Sequence, residues 1–267
     1  MNELRLPWLM IAVSTCALGA GWTKLARDPE IARRRSLVAS GLALACMLAA
    51  CLDFLVRNVS EVRDPWGLTI DALSAPKLAL AALIYFLTNL ATLRTKAREF
   101  SFARSLASEA ILLATFACKT PWAVAALLAA GTIPPFLELR KAGKPLRVYT
   151  LHMGLFVVLL GLGAAMLGGW TADASEPPST AAIAILTAAL LVRSGVVPFH
   201  CWMTDLFEHA TFGTALLFVA PMPGVYGVMR LVLPAAPPWL LEVVSLASLL
   251  TAVHAAGMAL VQSEGRR

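Results

Sequence analysis

The sequence predicts an all-α, polytopic transmembrane helix bundle, and three observations predict it. The first is composition: 59% of the 267 residues are hydrophobic and 14% charged, with a mean hydropathy of +0.75, where a water-soluble domain carries about 25% charge. The second is a series of about nine apolar runs, each near the length that spans a bilayer. The third is the placement of basic residues. Fifteen of the 22 Lys and Arg fall in the segments 24–36, 94–104 and 139–147 and in the tail, which with 198–211 are the inner connections, and the outer connections are basic-poor, as the positive-inside rule requires. Nine crossings, with the N-terminus outside and the C-terminus cytoplasmic, satisfy both signals.

Taken in order, the runs are 8–23, 37–56, 74–93, 105–118, 121–138, 148–170, 180–197, 212–233 and 239–261. The first is followed rather than preceded by positive charge, which marks an outward-N anchor rather than a cleaved signal. The second and third are joined by a long mixed-charge connection whose Asp64-Pro65-Trp66-Gly67 is a turn signal. Only Lys119 and Thr120 separate the fourth from the fifth. Lys141-Ala142-Gly143-Lys144-Pro145 is a short inner turn, and the acidic connection 171–179 faces outside. The runs are continuous rather than alternating, which excludes a closed barrel. Cys16, Cys46, Cys51, Cys118 and Cys201 lack metal-ligand spacing and read as small buried hydrophobes. The net charge of +6 reflects topology rather than affinity for nucleic acid. No cofactor or metal motif and no catalytic constellation stand out, so the lipid bilayer is the first partner implied.

The seventh run is the unusual one. Its apolar stretch ends in Arg193-Ser194-Gly195-Val196-Val197-Pro198-Phe199-His200-Cys201-Trp202, and Asp205, Glu208 and His209 follow. A charged side chain within the hydrocarbon zone costs a few kcal/mol, about 2.5–3.5 on insertion scales. Gly195 loosens the helix and Pro198 removes a backbone donor, so an interrupted helix is expected near 193–205. Broken helices that carry charge are how transporters form a polar path near the midplane.

Several separated segments together resemble one family, the antiporter-like proton-translocating membrane subunits of respiratory complex I and of Mrp-type cation/proton antiporters. Asp71-Ala72-Leu73-Ser74-Ala75-Pro76 is similar to the family's Asp-Gly-Leu-Ser-x-Pro. Arg193 to Trp202 resembles its Lys-x-x-x-x-Pro-Phe-His-x-Trp through Pro198, Phe199, His200 and Trp202, with arginine in the lysine position, and Asp205 is similarly placed to the following Asp. Gly224 to Arg230 resembles the end of the family's eighth helix. Met258 to Arg267, with Gln262 and Glu264, is similar to its Ala-Leu-x-Gln-x-Asp-x-Lys-Arg signature. The resemblance implies a bundle of about fourteen helices with two inverted five-helix units, of which this chain looks like the N-terminal half: a three-helix segment (1–104), one five-helix unit (105–233), and a ninth helix with a cytoplasmic tail (234–267).

The resemblance also implies a relay: a glutamate on helix five, a lysine on helix seven and a lysine on helix eight. At these positions the sequence has Ala130, counted back from Pro135, Arg193 and Met222. Arginine does not release its proton near neutral pH. Substitute ion-path candidates are Glu109, with Ser105 one turn earlier on the same face to hydrogen-bond it, together with His152, His200, His254 and Lys77. Plainer readings stand beside these. Arg193 snorkels to the surface or pairs with Glu109; His200 and Trp202 anchor the chain at the interface; His254 is a core histidine; Lys77 faces headgroups. Two functions follow. One is a membrane subunit of a proton-translocating, complex I-like or Mrp-like complex in a bacterial inner membrane, not itself catalytic and partnered by other membrane subunits of a redox or bicarbonate-uptake assembly. The other is a degenerate structural subunit without its own relay.

Overall fold

Residues 7–93, 95, 99–168 and 178–262 are described in the computed structural model. Glu264, the tail arginines, Arg94, Lys96, Arg98 and most of the acidic connection lie outside the described residues. Packing divides the chain into two compact units, Met1–Lys119 and Thr120–Arg267.

Among its described residues the first unit has the helices α1 (Trp8–Lys24), α2 (Pro29–Arg57), α3 (Ser74–Ala91) and α4 (Phe102–Ala117). Asp28 starts α2 by accepting the Glu30 N–H at 3.0 Å, with Pro29 in the first turn, where a missing N–H is harmless. The basic cluster that follows caps two neighbours. Arg35 donates to the Trp22 carbonyl at 2.8 Å and Arg33 to the Leu90 carbonyl at 3.0 Å, so cations sit on the C-terminal ends of α1 and α3, where the helix dipole favours them. The connection after α2 forms a short hairpin, β1 (Glu61–Arg63) with β2 (Thr69–Asp71), Val62 opposite Ile70. Its turn is the one read from Asp64 to Gly67, with Gly67 at φ +84°. Asp64 accepts the Met10 N–H at 3.2 Å, at the start of α1, and Lys119 pairs with Glu61. The motif pair Asp71 and Ser74 opens α3 reciprocally. Asp71 Oδ1 accepts the Ser74 N–H at 2.9 Å, and Ser74 Oγ accepts the Asp71 N–H at 3.0 Å, which satisfies two donors that helix geometry leaves orphaned.

The second unit contains α5 (Pro121–Ala130), α6 (Ile133–Lys141), α7 (Arg147–Leu167), α8 (Thr180–Ser194), α9 (Cys201–His209), α10 (Phe212–Val219), α11 (Pro223–Gly227), a π-turn (Val228–Val232) and α12 (Pro238–Val261). Two runs read as single helices are broken, the fifth at Gly131–Thr132 before Pro134 and Pro135 and the eighth at Ala220–Met222 before Pro223, and the seventh breaks after Ser194, where an interruption was expected. Proline lacks the donor that the previous turn needs. α12 buries only Leu240 against the rest of the described chain.

The helical membrane-bundle reading therefore holds, but the count of nine crossings does not follow from length. Among the described residues, six helical stretches are long and apolar enough to cross a membrane: Pro29–Arg57, Ser74–Ala91, Pro121–Lys141, Arg147–Leu167, Phe212–Val232 and Pro238–Val261. α1, α4 and α8 have 17, 16 and 15 residues. At about 1.5 Å per residue they reach roughly 22–26 Å, short of a hydrocarbon core of about 30 Å.

Candidate functional site

Arg193 lies on the last turn of α8 and is 5% exposed. Gly195, at φ +70°, ends the helix: its N–H bonds the Leu191 and Val192 carbonyls, and the Val196 N–H reaches Leu191 O at 3.2 Å. This left-handed closure suits glycine. The glycine that the sequence suggested would loosen the helix thus terminates it, and residues 195–200 cross to α9 without helical bonding. The Arg193 guanidinium stacks 3.8 Å over the Phe218 ring and 5.5 Å from the Trp202 ring, and its Nη2 donates to the Phe218 carbonyl at 3.0 Å. Enclosure of this kind excludes snorkelling. Glu109, the acid suggested as its mate, belongs to the other compact unit.

The Phe218 carbonyl is available for a stated reason. Within a continuous helix it would receive the N–H of Met222. Here Met222 is left-handed (φ 52°) and its N–H bonds Val219 O at 3.0 Å, because Pro223 brings none. Arg193 replaces the missing donor and places a cation at the negative end of α10. The positive end of the same helix is held by Glu138 on α6, which is 5% exposed. Its Oε1 accepts the Thr211 N–H at 2.9 Å and the Thr211 hydroxyl at 2.8 Å, and its Oε2 accepts the Thr214 hydroxyl at 2.6 Å. A carboxylate and a guanidinium therefore bracket an eight-residue helix about 12 Å long. Glu138 is not among the residues expected from the sequence. It sits where the fifth run meets a charged inner turn, a place that reads as solvated surface. The usable signal was its position four residues past Pro134, at the end of a broken helix.

The break also collects other candidates. Trp202 is 0% exposed, and its Nε1 donates to Val192 O at 3.0 Å. It is an interior brace, not an interfacial anchor, because its indole N–H has a buried partner. The His200 and His254 rings meet edge-on at 5.0 Å; His254 is on the exposed face of α12, and His200 Nδ1 is buried without a hydrogen bond. Thr251 of α12 accepts the Val197 N–H at 3.1 Å, so α12 touches the break at two points. His209 Nδ1 contacts Asp205 Oδ1 at 3.3 Å. Pro198 and Phe199 are exposed within the crossing segment. Gly224 lets α11 approach α8; a Cβ there would fall 2.5 Å from Ser194 Oγ. His152 Nδ1 lies 2.9 Å from Val148 O. Lys77 is half-buried on the first turn of α3, and Gln262 is exposed at the end of α12.

Glu109 is fully buried on α4 (0% exposed). Ser105 does not serve it: its hydroxyl donates to Asn89 Oδ1 on α3 at 3.1 Å. Helical spacing put the two side chains on one face, but a neighbouring helix offers the better acceptor. The Cys16 thiol of α1 lies beside the carboxylate and interacts with it, while neither carboxyl oxygen has a hydrogen bond of standard geometry.

Comparisons with known proteins converge. Residues 164–267 match the family described as NADH:quinone oxidoreductase/Mrp antiporter, TM. The chain is 24% identical over 307 aligned positions to NAD(P)H-quinone oxidoreductase chain 4 of Microcystis aeruginosa, covering 100% of this chain and 55% of that one. It is similar in fold to a chain of respiratory complex I from Thermus thermophilus with bound aureothin, at a TM-score of 0.71 and 19% identity, over 96% of this chain and 60% of that one. A chain of the Mrp complex from Dietzia matches at a TM-score of 0.64 and 15% identity, over 84% and 47%. The chain thus spans about half the length of the curated relative it matches end to end.

Proposed function

From the premise that this chain belongs to the antiporter-like membrane-subunit family of complex I and Mrp antiporters, we propose that it is a membrane subunit of a proton-translocating complex and conducts, or helps to conduct, protons or cations. It is an integral membrane protein. A bacterial inner membrane, an N-terminus outside and a cytoplasmic C-terminus are the placement that its basic loops favour. In this reading residues 105–233 are the antiporter-like unit, flanked by 1–104 and 234–267, and its partners are other membrane subunits.

The observation that carries the proposal is the enclosed cation at a helix break. Arg193 cannot act as a proton donor. It acts as a fixed positive charge whose hold on Phe218 depends on the acid at the far end of α10. The groups of the same unit that can carry protons are Glu138, His200, His254 and His152; Lys77 and Glu109, the other candidates, belong to the first unit. The test is flux of the purified chain, or of its complex, in liposomes that enclose a pH-sensitive dye. Arg193→Ala is expected to cut proton flux by about tenfold or more, the loss of one charge-assisted hydrogen bond. Flux equal to that of the parent removes Arg193 from the mechanism.

A second reading has its own observation. Ala130 and Met222 stand where the family's relay has titratable side chains, and Arg193 caps a helix. On that reading the chain is a structural or assembly subunit, or the coupling subunit of a bicarbonate uptake system. An absence of flux in every variant, with the complex still assembled, selects the structural role.

A further inference from the structure

We propose that the first unit holds a separate proton-binding site at Glu109, reached through a one-sided file of polar side chains inside the α1–α4 bundle. The inference uses neither Arg193 nor the family relay.

Three observations build it. First, Glu109 is 0% exposed, neither carboxyl oxygen has a hydrogen bond of standard geometry, and its polar contact is the weak donor of the Cys16 thiol. A bare carboxylate does not persist in such a place; a proton, delivered by water, is the ligand that fits. Second, other buried polar groups in the unit also lack partners: Asn89 Nδ2 on α3, Ser36 Oγ on α2 and Thr23 Oγ1 on α1. Water is the ligand that satisfies several such groups at once. Third, the register of the bundle arranges them in sequence. Gly19 of α1 meets Ala39 of α2 and Leu106 of α4, Ser105 meets Asn89, and Cys16 meets Glu109. Because α1 and α2 run antiparallel, Thr23 and Ser36 lie one turn below the Gly19–Ala39 contact, towards the end capped by Arg33 and Arg35. At the level of that contact lie Ser40, Ser105 and Asn89, and Glu109 is one turn above them. Above Glu109 the buried residues are mostly apolar, among them Leu113 and Phe116 on α4, Ala12 and Leu9 on α1, Met47 on α2 and Leu78 on α3. The buried polar side chains on that side, Thr115, Ser74 and Thr69, already have hydrogen-bond partners. The unpartnered polar groups thus lie on one side of the acid.

The groups facing the acid define its chemistry. Cys16 is the titratable neighbour on α1, and Cys46 of α2 interacts with Cys16. α3 contributes the neutral Asn89. Arg33 of α2 and Arg104 of α4 are the cations at the open end, more than a helical turn from the carboxyl group. A thiol and an amide give a neutral cradle, which suits the neutral acid better than a metal cation.

The experiment is infrared spectroscopy of the full chain in lipid nanodiscs, in H2O and D2O. The parent is expected to show a protonated-carboxyl carbonyl band that shifts in D2O and is missing in Glu109→Gln. Asn89→Leu is expected to slow that exchange by about tenfold, the effect of one lost hydrogen bond along the file. Should Glu109→Gln fail to assemble, Glu109→Asp gives the assignment, because the band then moves rather than vanishes. A spectrum without a Glu109 band overturns the site. A band that does not shift in D2O, or that exchanges equally fast in Asn89→Leu, overturns the polar file. A chain that conducts no protons in the liposome assay can still show this band, so the two proposals fail separately.

Discussion

At the scale of single residues, this chain keeps its charges where backbone geometry asks for them. Arg193 answers a carbonyl freed where Met222 and Pro223 end α10, and Glu138 answers the orphan N–H at the start of α10. Removing either therefore costs more than a surface charge would. Glu138→Ala leaves Thr211 and Thr214 without their acceptor, and we expect a loss of about 2 kcal/mol, the range for hydrogen bonds to a charged group, read as a lower midpoint of thermal unfolding in detergent. Trp202→Phe keeps the packing and loses one bond, at about 1 kcal/mol in the same assay. Outside the membrane, burial raises the Asp64 carboxyl above its usual range, and N–H groups at the start of α1 partly offset this. For an acid whose folded pKa is raised, the folded state gains relative to the unfolded one when the proton is on. Stability linked to Asp64 is therefore fullest below the ordinary carboxylate range and declines as pH rises through the shifted value. The protection of the Met10 amide against deuterium exchange, with the intrinsic pH dependence of exchange divided out, should change across that range in the parent and stay constant in Asp64→Asn. Arg193 was legible in the sequence because an arginine in an apolar run has no ordinary reason to be there. Glu138 was not, because an acid among basic turn residues looks the same whether it meets water or a helix end.

At the scale of elements, the notable events are breaks, and each has a local cause. Pro134 and Pro135 divide α5 from α6; Gly195 closes α8; Pro221, Met222 and Pro223 separate α10 from α11. The break after α8 could be read from Gly195 and Pro198. The other two carried the same proline signal but lay in runs whose hydropathy was continuous, so length overrode punctuation. Side-chain partners were harder still: periodicity places Ser105 and Glu109 on one face, yet cannot say that Asn89 on another helix will claim the hydroxyl. Gly195→Ala is expected to destabilise by about 1 kcal/mol, the left-handed penalty of an L-residue, and by more where its new methyl meets Met203, 2.6 Å from that position. Circular dichroism during thermal unfolding measures it.

At the scale of the whole molecule, the helical membrane class was legible from composition alone, because a chain with so little charge cannot stay folded in water. The number of crossings was not, since helices of 15 to 17 residues do not fix whether they traverse the bilayer. Topology is measurable: cysteines placed at Asp64 and at Gly143 should label from opposite faces of intact vesicles. Labelling from one face refutes the nine-crossing arrangement.

The bracketed α10 has one more consequence. Eight residues tied to an acid at the front and a base at the back form a stiff rod whose two anchors sense one another. A proton landing on Glu138 weakens its grip on the threonines, the rod becomes free to slide or tilt, and the carbonyl that clasps Arg193 moves with it. A change at the acid can then loosen a cation about two helical turns away, with no proton having crossed the gap between them.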